Sequence, residues 1–176
     1  VIQFSQFENI YFNNGFINFS EEQVIEASPE AILWETDLLA GVASTPQAVS
    51  SHRSTTPLLL VQDSLFNLYL LDRAGKIQWK RNVKAPIKGK FWEIDYYKNG
   101  KLQYAFNTED EIYVVDVEGN NVGNFPIKLP AKAANGMLLV NYDNKRKYRY
   151  FVACTNKNIY GYYHTGKPLP GWSPKR

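Results

Sequence analysis

Residues 67–79 alternate between two kinds of segment. Asn67-Leu68-Tyr69-Leu70-Leu71 is apolar, Asp72-Arg73-Ala74-Gly75-Lys76 is polar, and Ile77-Gln78-Trp79 returns to apolar positions. This pattern predicts strand, tight turn, strand. It recurs at Glu111–Phe125 and at Asn158–Trp172, where Tyr113 and Tyr160 lie 44 and 47 residues beyond their predecessors. Each unit places a glycine (Gly75, Gly119, Gly166) six residues after the tyrosine, and an aromatic soon after that (Trp79, Phe125, Trp172). The segments before the later units also match: Asp95-Tyr96-Tyr97-Lys98-Asn99-Gly100 and Asn141-Tyr142-Asp143-Asn144-Lys145-Arg146 each read as a polar turn between strands. Asn-Gly is a strong hairpin signal. A repeat in the forties of residues is the length of a four-stranded propeller blade.

The expected fold is therefore all-β: a partial β-propeller of about three four-stranded antiparallel blades, at about 45–82, 88–129 and 134–172. Leu58-Leu59-Leu60-Val61 reads as a strand buried on both faces. Trp34, 45 residues before Trp79, reads as the last strand of a preceding blade within Ala31–Thr36. Asp72 and Asp116 are expected to cap their turns, whereas Tyr163 replaces that aspartate in the third unit. Packing roles are expected for Trp34, Tyr69, Trp79, Tyr113, Phe125, Tyr160 and Trp172. Upstream, Asn9–Phe12 and Gly15–Phe19 predict an N-terminal hairpin turning at Asn13-Asn14-Gly15, either the tail of a preceding domain or a degenerate blade. Ser20-Glu21-Glu22-Gln23 has the form of a capping box, and Ser28-Pro29 ends any helix there. Residues 1–30 are thus an N-terminal hairpin and connector, and 31–176 the repeat domain. Three blades and a fraction do not close a propeller, since closed forms use four or more. Either residues 1–35 supply a partial fourth blade, or another chain or a missing segment covers the gap, which would otherwise leave edges open.

Leu68-Tyr69-Leu70-Leu71-Asp72, followed by Gly75-Lys76 and Trp79, resembles the quinoprotein-type (PQQ-like) propeller repeat. The longer run, with Tyr97-Lys98-Asn99-Gly100-Lys101-Leu102-Gln103-Tyr104 and Asn124-Phe125-Pro126-Ile127-Lys128-Leu129-Pro130, is similar to the C-terminal propeller-like part of cell-envelope proteins from Bacteroidetes-type bacteria. The resemblance covers about residues 31–176. It implies the propeller fold and an extracytoplasmic location, in the periplasm or cell envelope.

Composition adds an asymmetry. Residues 1–50 hold seven acidic residues and no Lys or Arg, whereas residues 51–176 hold 20 basic and 10 acidic residues. That contrast fits an acidic segment on a basic body or a surface for an anionic partner. The chain opens on Val1, which reads as a mature product or an excised fragment, and no apolar run is long enough to cross a bilayer. Cys154 is the single cysteine, so no intrachain disulfide forms, and it reads as a small buried hydrophobe.

The candidate chemistry is sparse. Calcium needs six to eight oxygens, and the Asp95 and Asp143-Asn144 turns are crowded by Lys98, Lys101, Lys145, Arg146 and Lys147. Zinc would have to be built from His52, His164, Cys154 and carboxylates at no recognised spacing. No nucleophile elbow or phosphate-binding glycine loop is present. A quinone cofactor would need a complete larger propeller with a calcium-assisted site. No metal, cofactor or catalytic residue is assigned. The expectation is a non-catalytic protein-interaction or scaffold module of a larger cell-envelope protein, with a protein partner or self-association. The candidate interaction surface is Trp92, Tyr96, Tyr97, Tyr142, Lys145, Arg146, Lys147 and Tyr148. Stacking of sugar rings on those aromatics makes a carbohydrate-binding or carbohydrate-acting domain the alternative. Binding of nucleic acid or another polyanion by the basic turns is a second, less favoured one.

Overall fold

The computed structural model describes residues 2–7, 10–15, 34–142 and 144–171. The chain divides into two compact units, Val1–Leu33 and Trp34–Arg176. In the first unit β1 (Ile2–Phe7) pairs antiparallel with β2 (Ile10–Gly15). Asn13-Asn14-Gly15, expected as a turn, instead completes β2, because Phe4, Gln3 and Ile2 supply ladder partners to all three. The capping box and connector at 20–30, residues 31–33, Asp143 and Trp172 lie outside the described residues.

The second unit is an all-β partial β-propeller with three antiparallel sheets and no helix among the described residues. The first sheet holds β3 (Gln47–Ser51), β4 (Ser54–Gln62), β5 (Asn67–Leu71) and β6 (Ile77–Asn82), in sequence order. The second repeats that meander with β7 (Ile87–Ile94), β8 (Gln103–Thr108), β9 (Glu111–Val115) and β10 (Ile127–Lys128). Among the described residues the third has three strands: β11 (Leu138–Val140), β12 (Arg149–Ala153) and β13 (Ile159–Tyr163). Its Tyr162–Pro168 bridge repeats the Val115–Asn121 bridge of the second sheet, and the positions that match β10 fall at 174–175, outside the described residues.

Side-chain alternation decides what lies between the sheets. Leu60, Leu70 and Trp79 are register partners and so share a face. They pack with Tyr104, Phe106, Tyr113 and Val115 of the second sheet. The other face of the second sheet sends Trp92, Ala105, Ile112 and Val114 against Tyr150, Val152 and Tyr162 of the third. The central strands β8 and β9 are thus buried on both faces. Where the chain enters the third sheet, Gly136 crosses Gly89 so closely that a Cβ on Gly136 would lie 2.7 Å from the Gly89 Cα.

Trp34–Thr36, expected as a strand, has no ladder partner. Residues 34–46 form a strap over the outer face of the first sheet, where Leu38 and Leu59 pack on Val61, Tyr69 and Leu71. Trp34 nevertheless plays the predicted part of a preceding blade. Its indole lies over Gly75, where a Cβ would come 2.7 Å from Cδ2, and the Thr36 hydroxyl donates to the Gly75 carbonyl at 2.5 Å. Trp79 covers Gly119 in the same way, and Phe125 with Ile127 covers Gly166. Each aromatic therefore seals the turn of the sheet that follows.

Candidate functional site

The turns after the first and third strands of each sheet carry most of the polar side chains singled out by the sequence. The third-strand turns superpose in their bonding. Asp72 N–H donates to the Lys76 carbonyl, and Gly75 N–H donates to the Asp72 carbonyl at 3.0 Å; the same pair links Asp116 with Asn120 and Gly119. Asp72 Oδ1 accepts Ala74 and Lys76 N–H, and Asp116 Oδ1 accepts Glu118 and Asn120 N–H. Tyr163 keeps the backbone bonds, with Lys167 and Gly166, and brings no carboxylate.

A second carboxylate turn was not singled out by sequence. Asp63, fully buried between β4 and β5, accepts Leu65 and Asn67 N–H at 2.9 Å, the Asn67 amide at 2.8 Å and the Tyr69 hydroxyl at 2.8 Å. The Tyr69 hydroxyl in turn accepts Leu39 N–H of the strap. Burial pushes the Asp63 carboxyl up, but the bonds from Asn67, Tyr69 and Leu65 outweigh it, and its pKa falls below the ordinary value. Cys154 takes this position in the third sheet, with the same backbone bonds to Asn158 and Lys157. It is buried, and burial raises its thiol pKa. That is the chemistry of a packed side chain rather than a nucleophile.

The structure divides the eight surface candidates into joints and exposed groups. Trp92 is half-buried: its indole N–H donates to the Met137 carbonyl at 3.1 Å, and Lys90 Nζ lies 3.8 Å from its ring centroid. Tyr96 is wedged edge-on against Tyr97, His164 and Phe125. Burial, then the neighbouring Tyr97, raises its phenol pKa. The Tyr148 hydroxyl accepts Asp95 N–H at 3.2 Å, and Arg146 pairs with the buried Asp95 carboxylate, which also accepts Asn99 and Gly100 N–H. Trp92, Tyr96, Arg146 and Tyr148 thus join the second sheet to the third, and the open stacking platform expected of Trp92, Tyr96 and Tyr148 is absent. The exposed aromatics are Tyr97 at 58% and Tyr142 at 65%. Lys145 and Lys147 are exposed on the same turn as Tyr142.

Other titratable groups serve packing. Burial, then Glu93, pushes Tyr104 up to about 12, and burial, then Cys154, does the same to Tyr162. Burial, then Lys98, lowers the His164 pKa. His52 Nδ1 accepts Leu102 N–H, tying the first sheet to the second. Among the described residues no three His, Cys, Asp or Glu side chains converge as metal ligands, and no helix is long and apolar enough to cross a membrane.

Two exposed apolar groups of the third sheet, Leu138 and Ile159, went unnoticed in the sequence. In the third sheet Leu138, Phe151 and Gly161 are register partners, as are Val140, Arg149 and Tyr163, and Ala153 pairs with Ile159. These residues share the face turned away from the second sheet. Leu138 is 54% exposed and Ile159 52%. The Arg149 guanidinium lies over the Tyr142 ring at 5.1 Å and the Tyr163 ring at 5.9 Å. The available signal was an apolar residue at nearly every position of β12 and β13, the mark of a sheet covered on both sides.

Successive antiparallel sheets with aromatic-on-glycine joints define a propeller-like array. A solved structure to which it is similar is a crystal structure of BBS1N in complex with ARL6DN, soaked with lead, which matches 72% of this chain at 17% identity and a TM-score of 0.52. The matched domain is likewise propeller-like, so the likeness is one of fold. This chain spans 39% of the length of that neighbour. No protein-family model matches the sequence, and no curated protein does.

Proposed function

We propose that this chain is a non-catalytic protein-interaction or scaffold module of a larger cell-envelope protein, kin to proteins with quinoprotein-type repeats and working outside the cytoplasm. The observation that carries the reading is where the exposed apolar groups lie. Nine of the ten large exposed hydrophobic side chains among the described residues belong to the strap, the first sheet or the third; Tyr97 alone belongs to the second. Clusters of exposed apolar groups on an ordered scaffold mark interaction sites. The solved neighbour, crystallised as a complex with ARL6DN, supports the same reading.

The test is photo-crosslinking from Leu138, Ile159 and Leu39 in native envelope membranes. Discrete adducts from these positions and none from Lys101 support the reading. Adducts from none of them overturn it. A carbohydrate reading keeps one supporting observation, the exposed Tyr97 and Tyr142 rings. It requires glycan binding that Tyr142→Ala weakens at least about tenfold.

A further inference from the structure

The chain contains three Asn-Gly pairs, at 14–15, 99–100 and 135–136. Such a pair has a reaction of its own: the glycine nitrogen attacks the asparagine side-chain carbonyl carbon, and ammonia leaves. Glycine favours it because no Cβ hinders the approach. Folding decides whether nitrogen and carbonyl can meet, and it treats the pairs differently. Asn14-Gly15 is bound into the β1–β2 ladder. Asn135-Gly136 is clamped: the Asn107 amide donates to the Asn135 carbonyl at 3.3 Å, and Asn107 Oδ1 accepts Met137 N–H at 2.7 Å. The Gly136 backbone is also pressed against Gly89. Closing a ring there would turn the Asn135–Gly136 peptide into space already filled.

Asn99-Gly100 lies on the exposed turn between β7 and β8, and its groups are arranged for the reaction. Asn99 Oδ1 accepts Lys101 N–H at 3.1 Å, which polarises the carbonyl under attack and favours charge on its oxygen. Gly100 N–H donates to Asp95 Oδ2 at 2.8 Å, so the proton that the attacking nitrogen must shed already faces a carboxylate. Asp95 Oδ1 accepts Asn99 N–H at 2.9 Å and holds that end of the turn. Around Gly100, at φ +80°, the space a Cβ would take is open, so nothing blocks the closing ring.

We propose that Asn99-Gly100 is a self-modification site, which closes to a succinimide in the folded protein while Asn135-Gly136 does not. The new bond joins Gly100 N to Asn99 Cγ, and the Cγ–Nδ2 bond breaks. The Gly100 proton passes to Asp95 Oδ2 and on to solvent; the leaving nitrogen takes a proton from water and departs as ammonia. Water then opens the ring at either carbonyl, leaving aspartate or isoaspartate at position 99. Both products place a carboxylate on the residue hydrogen-bonded to Asp95, where like charges disfavour each other, and isoaspartate also lengthens the backbone by a methylene. Asp95 is where the second sheet meets the third, through its pair with Arg146 and its N–H to the Tyr148 hydroxyl. Modification of Asn99 therefore loosens that joint.

Peptide mapping by mass spectrometry, on the whole chain aged in mildly alkaline buffer, tests this directly. The ring reads as the loss of one ammonia, and the opened products as the further gain of one water. In concentrated urea Asn99 and Asn135 should convert at similar rates, since glycine follows both. Folded, Asn99 should convert at least about tenfold faster than Asn135. Equal rates in the folded chain, or a faster Asn135, overturn the proposal. Asp95→Asn removes the proton acceptor and keeps the side chain's shape, so it should slow Asn99 at least about tenfold. An undiminished rate in that variant, folded, overturns the carboxylate's part. If the variant fails to fold, the parent decides: with the carboxylate's help Asn99 keeps pace with its own rate in urea, and a folded rate at least about tenfold slower overturns that part. Chain converted at position 99 should melt about 2–4 °C below fresh chain. An unchanged melting temperature overturns the loosening of the joint.

Discussion

The first and third sheets come from the same repeat, yet their outward faces have opposite fates. On the first, Val61, Tyr69 and Leu71 are buried under Leu38 and the rest of the strap. On the third, the outward face, which by the repeat register matches the inward face of the first (Ile159 with Leu68), leaves Leu138 and Ile159 more than half exposed. The difference lies in what precedes and follows each sheet. Trp34 and the twelve residues after it cover the outward face at one end. At the other, the described residues leave Leu138 and Ile159 open. A repeat unit therefore does not determine its own burial; its neighbours do.

Core truncation should break the comparison most sharply. Leu71→Ala removes a side chain buried beneath the strap and should cost about 2–5 kcal/mol in chemical denaturation, whereas Ile159→Ala should cost less than about 0.5 kcal/mol. Next in size is Gly75→Ala. Gly75 has φ +78° and lies under Trp34, while Gly100 has φ +80° with open space around its missing Cβ. Both alanines carry the positive-φ strain of about 1 kcal/mol, and only the first also lifts the strap, for a total of about 2–3 kcal/mol. Equal losses at both glycines would mean that the Trp34 contact contributes nothing.

Asp63→Asn should cost about 2 kcal/mol, because it removes a buried charge held by four donors. Its folded pKa lies below the ordinary 3.8, so the stability it contributes is present above that value. It is lost as pH falls through the folded pKa. Acid titration of the melting temperature should be steeper below pH 4 in the parent than in Asp63→Asn. The third sheet, with Cys154 in this place, has no such sensitivity to contribute. The smallest effect belongs to His164, beside Tyr96. Its folded pKa is lowered from 6.5, so its contribution is present above that value and declines as pH drops through the folded pKa. His164→Gln should remove a shallow loss of melting temperature on going from pH 7.5 to 5, detectable by differential scanning calorimetry; an unchanged slope would show the imidazole to be unlinked to folding.

The sheets were legible because each repeats a local rule. Tyr-then-Gly spacing marked the third-strand turns, and the capping roles of Asp72 and Asp116 followed from side-chain chemistry alone. Positions whose role depends on a distant sheet were less legible. Trp92, Tyr96 and Tyr148 read as surface aromatics because they flank polar turns, yet each is held by residues about 30 to 55 positions away, such as Met137 and Asp95. Alternation in a strand says that two faces exist, and it is silent on which sheet covers each. The exposed face of the third sheet was hidden for the same reason: Leu138 and Ile159 look like core residues and become surface only when no further sheet stacks on them. Asn13–Gly15 failed for a simpler cause, since β1 offered ladder partners that outweighed a turn composition.

The aromatic that covers a neighbour's glycine has a bearing on descent. Trp79 belongs to one sheet and closes the turn of the next, as brick courses overlap at their joints. A duplication that copied one sheet from its first strand to its last would carry its own tryptophan forward and still leave a seam that matched on both sides. One cut between a tryptophan and the strand before it would instead leave an uncovered glycine and an idle ring. Crossover points in the ancestry of such a chain should therefore fall in the linkers after these aromatics, near residues 83–86 and 129–134, and seldom inside the turns themselves.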